Sequence, residues 1–112
     1  MSKHMIAKQT KLGKTITIMD GVVMSNEDLI VECDMRVNKI DAQENTLVIN
    51  KGCKVEADLH GHTVVIIGTF VGNIVADYEI HLQGDCDVTG DLRAPKYTID
   101  TTARFEGRIV KI

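Results

Sequence analysis

The sequence predicts one all-β domain built as a parallel β-helix of about six coils, and two observations favour that fold. From residue 15 onward there is almost no helical periodicity, but many short alternating apolar runs end at Gly, Asn or Asp. A template of alternate small, bulky, tiny and aliphatic positions also recurs along the chain, as in stacked solenoid coils. With 44% hydrophobic but only 4% aromatic residues, the core is expected to be thin and aliphatic. Residues 15–112 therefore make up the predicted domain.

The segment before this domain, residues 1–14, carries four lysines and no acidic residue. We expect a flexible basic tail there, with weak contact to an anionic membrane surface as the alternative. Nucleic acid is not an expected partner, because the rest of the chain is acidic and no aromatic residues lie among the lysines. The residues predicted to make the membrane contact are Met1, Lys3, Met5, Ile6 and Lys8.

Two incomplete copies of the template come first in the predicted domain. They are "GVVMS" at 21–25 and "CDMRV" at 33–37, and each follows a short apolar strand, "ITI" or "LIV". Both keep the small and bulky positions but lose the third, tiny position. The stretch "DAQENT" at 41–46 then predicts a loop that enlarges one corner of the helix.

Four complete copies follow, and each is preceded by a second apolar strand. They are "CKVEADL" at 53–59, "GTFVGNI" at 68–74, "CDVTGDL" at 86–92 and "ARFEGRI" at 103–109. We expect the tiny positions at sharp corners, where a Cβ would meet the opposite wall and where glycine supplies unusual φ values. The bulky positions are predicted to stack as one internal column, formed by Val23, Met35, Val55, Phe70, Val88 and Phe105.

Three cysteines occur, at spacings that match no metal or redox motif. Cys33, Cys53 and Cys86 all fall at the small position of the template, so we expect buried thiols that pack as compact apolar residues. An odd number of cysteines and no apolar leader segment favour a reducing cytoplasm.

The coils from "TITIMDG" through "TLVINKGCKVEADL" and "GTFVGNIVA" to "ARFEGRI" resemble a bactofilin domain. The most specific parts are "ARFEGRI" and "VTGDLRA", and the resemblance covers nearly all of the chain after Lys14. It implies a right-handed, roughly triangular β-helix that assembles into filaments without nucleotide or other cofactor. It also implies a bacterial cytoskeletal scaffold at the cytoplasmic face of the inner membrane, organising cell-envelope or cell-shape proteins.

Two other classes of function stay open from the sequence. A hexapeptide-like β-helix enzyme, of the acyltransferase or zinc carbonic anhydrase type, would use His60, His62 and His81 as metal ligands. We predict no catalytic or metal site, because the six-residue aliphatic rhythm is broken and His81 should point outward between Val65 and Thr98. The second alternative is a monomeric solenoid that binds another protein through one flat face.

Self-assembly is expected at the ends of the solenoid, where unpaired backbone groups and the top of the apolar core are exposed. The last coil ends with Phe105, Ile109 and Ile112, so we expect the C-terminal end to dock on the same end of a second molecule. The predicted polymer interface consists of Phe105, Ile109, Ile112, Ile16 and Ile18.

Overall fold

The computed structural model describes residues 10–11, 17–19, 21–24, 28–32 and 34–112. These residues form strands and turns, and they contain no helix that could cross a membrane. In chain order the strands are β1 (Thr10–Lys11), β2 (Thr17–Met19), β3 (Val22–Met24), β4 (Leu29–Val31), β5 (Met35–Asp41), β6 (Thr46–Ile49), β7 (Lys54–Ile66), β8 (Thr69–Leu82), β9 (Asp87–Ala94), β10 (Lys96–Ile99) and β11 (Arg104–Lys111).

Strands β3 to β11 stack in parallel register as three faces of a solenoid. Because β7 and β8 continue around two corners, each contributes to all three faces. Face A contains residues 29–31, 46–49, 63–66, 79–82 and 96–99. Face B contains residues 35–36, 54–56, 69–71, 87–89 and 104–106. Face C contains residues 22–24, 39–41, 58–61, 73–76, 91–94 and 108–111.

This arrangement confirms the parallel β-helix, but with about five turns instead of the predicted six. Each turn runs through face A, face B and face C in that order. The five coils span residues 29–41, 46–61, 63–76, 79–94 and 96–111.

The missing coil is the first predicted one, around Val23. Val23 lies in register with Ile40 on face C, not with Met35 on face B, so its place in the predicted column is wrong. The strand before it, β2, runs antiparallel to β3 and does not form a face A strand of a parallel coil. Strand β1 likewise runs antiparallel to β4. The N-terminal end of the solenoid therefore has antiparallel strands along faces A and C.

The other members of the predicted column stack as expected on face B. Met35 lies in register with Val55, followed by Phe70, Val88 and Phe105. The first four side chains are buried, whereas Phe105 is only partly buried against the core. Each buried aliphatic side chain contributes about 1.5 to 3 kcal/mol, so stacking along such columns provides most of the stability.

Glycines form a ladder at the corner between faces B and C. Gly72, Gly90 and Gly107 lie in register with one another, with φ values of +139°, +140° and +143°. A Cβ at Gly90 would lie 1.7 Å from the carbonyl oxygen of Gly72. Glycine is therefore needed because a Cβ would clash with the backbone of the preceding coil. The prediction that it would clash with the opposite wall of the helix is wrong.

Candidate polymer interface

The C-terminal end of the solenoid exposes positions that every earlier coil buries. On face A, Leu82 is fully buried but Ile99, the next residue in its column, is 43% exposed. On face C, Leu92 is fully buried and Ile109 is 44% exposed. Ile112 at the end of this coil is 58% exposed, although its register partner in the previous coil, Pro95, is itself only partly buried. With the partly buried Phe105, these side chains make an apolar end surface.

Tyr97 ties two faces together across this end. It follows Ile80 in an inward-facing column of face A, yet its hydroxyl reaches face C. There it donates a shared hydrogen bond to the carbonyl oxygens of Leu92, at 3.1 Å, and Val110. Burial raises the pKa of the Tyr97 phenol, which keeps it a neutral donor. The last coil is thus held in place by a polar contact at the edge of an apolar core.

The backbone of the last coil offers an open sheet edge. Among the described residues β10 pairs only with β8, and β11 pairs only with β9. Their other edge therefore has amide and carbonyl groups available to a further strand. An edge of this kind next to apolar side chains favours association with another chain.

Charged residues surround the apolar end surface. Arg104 and Glu106 are exposed on the outer side of face B and make no ion pair with the described residues. Arg108 differs, because it forms a two-bond pair with Asp91 at 2.8 and 3.3 Å. Lys111 takes the inward-facing register of Ala94, so an ammonium group lies at one corner of the end.

The histidines that could have been metal ligands have separate partners. His60 Nδ1 lies 2.8 Å from Asp41 Oδ1, and its Nε2 lies 3.3 Å from Asp77 Oδ1. The His62 ring stacks on Tyr78 with 5.2 Å between ring centroids. No group of His, Cys, Asp or Glu suited to a metal ion occurs within the described ranges.

His81 lies on the outer side of face A, in register with Val65 and Thr98 as the sequence predicted. It is therefore one face away from His60, which lies in the face C part of β7. The three histidines do not converge in one coil.

The Asp41–His60–Asp77 chain links three successive coils at the corner between faces C and A. Partial burial alone would lower the pKa of His60, but its hydrogen bonds to Asp41 and Asp77 outweigh burial and raise it. Burial would likewise raise the pKa of Asp41, but the bond from His60 and the Gln43 amide lower it. Both shifts favour a charged pair.

The cysteines that the structure describes lie where the template placed them. Cys53 and Cys86 are buried thiols at the corner between faces A and B, and neither forms a disulfide with a described residue. Burial raises the pKa of the Cys86 thiol, with a smaller effect from Asp100 and Asp87. Cys33 lies outside the described residues.

Several predicted interface residues also lie outside the described part of the chain. They are Ile16 and the residues of the predicted membrane contact, Met1, Lys3, Met5, Ile6 and Lys8. The backbone of Ile18 is described and pairs with Val23 in the antiparallel strand β2. The roles of these residues remain predictions.

A parallel solenoid with one open, apolar end defines a class of protein suited to assembly through sheet edges. The chain belongs to the bactofilin family: the family model, described as polymer-forming cytoskeletal, matches residues 10–110. This confirms the family resemblance seen in the sequence.

Two relatives of the chain come from Myxococcus xanthus (strain DK1622). The chain is 38% identical to bactofilin BacO over 100 residues, which cover 89% of this chain and 77% of BacO. It is 32% identical to bactofilin BacP over 100 residues, which cover 89% of this chain and 40% of BacP. No solved structure matches the chain significantly.

Proposed function

We propose that this chain assembles without nucleotide into filaments by stacking its solenoids end to end. The C-terminal end of one molecule docks on the C-terminal end of another, and a second contact between N-terminal ends, where the sequence predicts Ile16 and Ile18 in the interface, continues the filament. The observation that carries this proposal is the change in burial within single columns, from fully buried Leu82 and Leu92 to half-exposed Ile99 and Ile109. A second molecule would bury the apolar side chains of the fifth coil, as the following coil does for each earlier coil.

The family match supports self-association of the chain. The family model is described as polymer-forming, and it ends at residue 110, inside the fifth coil. The outer faces are less suited to a dry contact, since they carry exposed ion pairs such as Arg36–Glu56 and Arg108–Asp91.

The two ends of the solenoid are not equivalent, so a contact between like ends and a head-to-tail contact would be different interfaces. The N-terminal end is bordered by the antiparallel strands β1 and β2. The C-terminal end is formed by strands that all run in the direction of their coil. Two C-terminal ends can bury each other's apolar side chains, because both ends present the same exposed columns.

In the cell, the proposed filaments organise cell-envelope or cell-shape proteins from the cytoplasmic side of the inner membrane. Buried thiols at Cys53 and Cys86 agree with a reducing compartment. The basic residues 1–14 supply the proposed membrane contact, at roughly 1 kcal/mol for each lysine near an anionic surface.

The test compares two arginine substitutions on face B. Phe105→Arg places an unpaired charge inside the proposed contact, at a cost of about 3–5 kcal/mol. Val71→Arg is the matched control, because Val71 is an exposed residue on the outer side of the same face in the third coil. We expect sedimentation and electron microscopy to show no polymer for Phe105→Arg and normal filaments for Val71→Arg.

Circular dichroism checks that Phe105→Arg keeps its strands, as expected when only the last coil loses packing. If folded Phe105→Arg formed filaments at the wild-type critical concentration, C-terminal stacking would be wrong.

A further inference from the structure

We propose that two C-terminal ends meet about a two-fold axis through Phe105 of face B, so that Arg104 of each copy pairs with Glu106 of the other. This inference rests on the proposed end-to-end assembly and specifies its geometry. It assigns Arg104 and Glu106 as the residues that select the register of the contact.

The symmetry follows from the use of the same end in both molecules. Identical surfaces that cover each other form an isologous contact, and its two-fold axis lies in the plane between the two ends. Strands then run antiparallel across the junction. An axis through the middle of one face pairs that face with itself and pairs the other two faces with each other.

An axis through face A would centre on Thr98 and bring Lys96 towards Asp100 of the second copy. Both groups already have partners in their own chain. Lys96 Nζ lies 5.7 Å from the centroid of the Tyr78 ring, and Asp100 Oδ2 accepts a hydrogen bond from the Gly84 amide at 2.7 Å. Pairing across this axis would require those contacts to be given up.

An axis through face C would centre on Ile109 or Val110. Lys111, which occupies the inward register of Ala94, would then oppose Gly107 or Ile109 of the other copy. Its ammonium group would meet the apolar part of the contact without a partner, which is unfavourable. The end surface therefore disfavours this axis.

An axis through face B satisfies both the apolar and the charged groups. Phe105 meets Phe105, and Ile99 on face A meets Ile109 on face C of the second copy. Lys111 then lies opposite the ring of Tyr97, a favourable position for a cation near an aromatic face.

The same axis places Arg104 of each copy directly opposite Glu106 of the other copy, so the contact contains two such pairs. Opposite charges that face each other across antiparallel strands stabilise the pairing, and like charges destabilise it. Neither side chain has an ion pair with the part of the chain that the structure describes, so both are available to the second copy.

Charge reversal in the full chain tests this register. Arg104→Glu and Glu106→Arg each create two like-charge contacts, so each should raise the critical concentration at least about tenfold in low salt. The double variant Arg104→Glu/Glu106→Arg restores both pairs and should return to within about threefold of wild type.

Lys54 and Glu56 provide the matched control, because they occupy the same two outer columns of face B in the second coil. Lys54→Glu and Glu56→Arg should assemble like wild type, because the Arg36–Glu56 pair that the second reversal breaks is exposed on the outer side of the face. The proposed register would be wrong if the single charge reversals at 104 and 106 left the critical concentration unchanged. It would also be wrong if the double variant assembled as poorly as the single variants. Loss of polymer in Phe105→Arg would still support end-to-end stacking in that case, so the two proposals fail separately.

Discussion

Gly90 lies one coil after Gly72 and directly over it, and a Cβ at Gly90 would stand 1.7 Å from the carbonyl oxygen of Gly72. The ladder continues to Gly107, whose Cβ would lie 1.8 Å from the oxygen of Gly90. No flexible side chain can move aside there, because the contacted atom belongs to the backbone. In the last three coils, the corner between faces B and C therefore requires glycine for both space and φ.

Gly90→Ala is expected to destabilise the solenoid by more than about 3 kcal/mol, because the clash adds to the strain of a positive φ. Gly52→Ala is the control, since Gly52 also has a positive φ of +83° but nothing within 4 Å of its Cβ position. That variant should lose only about 1–2 kcal/mol. Denaturant unfolding measures both, and equal losses would show that the stacked carbonyl is unimportant.

Cys53 and Cys86 should resist alkylation in the native protein and react once it is unfolded. Both thiols are buried, and burial raises the pKa of Cys86, so little thiolate is accessible. Peptide mapping after brief iodoacetamide treatment, with and without denaturant, gives the protection of each site. Rapid native labelling of both cysteines would contradict their position in the column.

His60→Gln should reduce stability more in mild acid than in alkali. The raised pKa of His60 means that its contribution is complete below its usual value of 6.5 and is lost as pH rises through the folded value. The lowered pKa of Asp41 preserves the pair until the pH falls below the usual 3.8. Because the pair is only partly buried, the difference from wild type should stay below about 1 kcal/mol, with its maximum near about pH 5.5.

The control for this experiment is His62→Gln, since His62 contacts Tyr78 and Thr63 and, within the described part of the chain, no carboxylate. Denaturant unfolding below the assembly concentration, at about pH 5.5 and about pH 8.5, compares the two variants. A His60→Gln loss that does not shrink at the higher pH would contradict the charged link between the coils.

The alternating template was sufficient to predict the face B column from Met35 to Phe105, because a side-chain period of two fixes which residues face inward. It failed at Val23, where "GVVMS" has the same local pattern as a true coil. Alternation does not record strand direction, so the antiparallel pairing of β2 with β3 left no signal in the sequence.

The details of the site depend on register between coils, which the sequence alone did not supply. Asp41, His60 and Asp77 are separated by 19 and 17 residues, and they meet only because three coils stack at one corner. The exposed apolar end around Phe105 and Ile109 was predicted, since the template stops there. The hydrogen bond from Tyr97 was not predicted, because its hydroxyl reaches across the core to a different face.

Fibre diffraction from aligned wild-type filaments, grown without nucleotide, tests the central claim most directly. Solenoids stacked end to end keep their strands perpendicular to the filament, so the strand spacing of about 4.8 Å should appear along the filament axis. A reflection of that spacing perpendicular to the axis would show that the solenoids associate through their faces, and it would contradict end-to-end assembly.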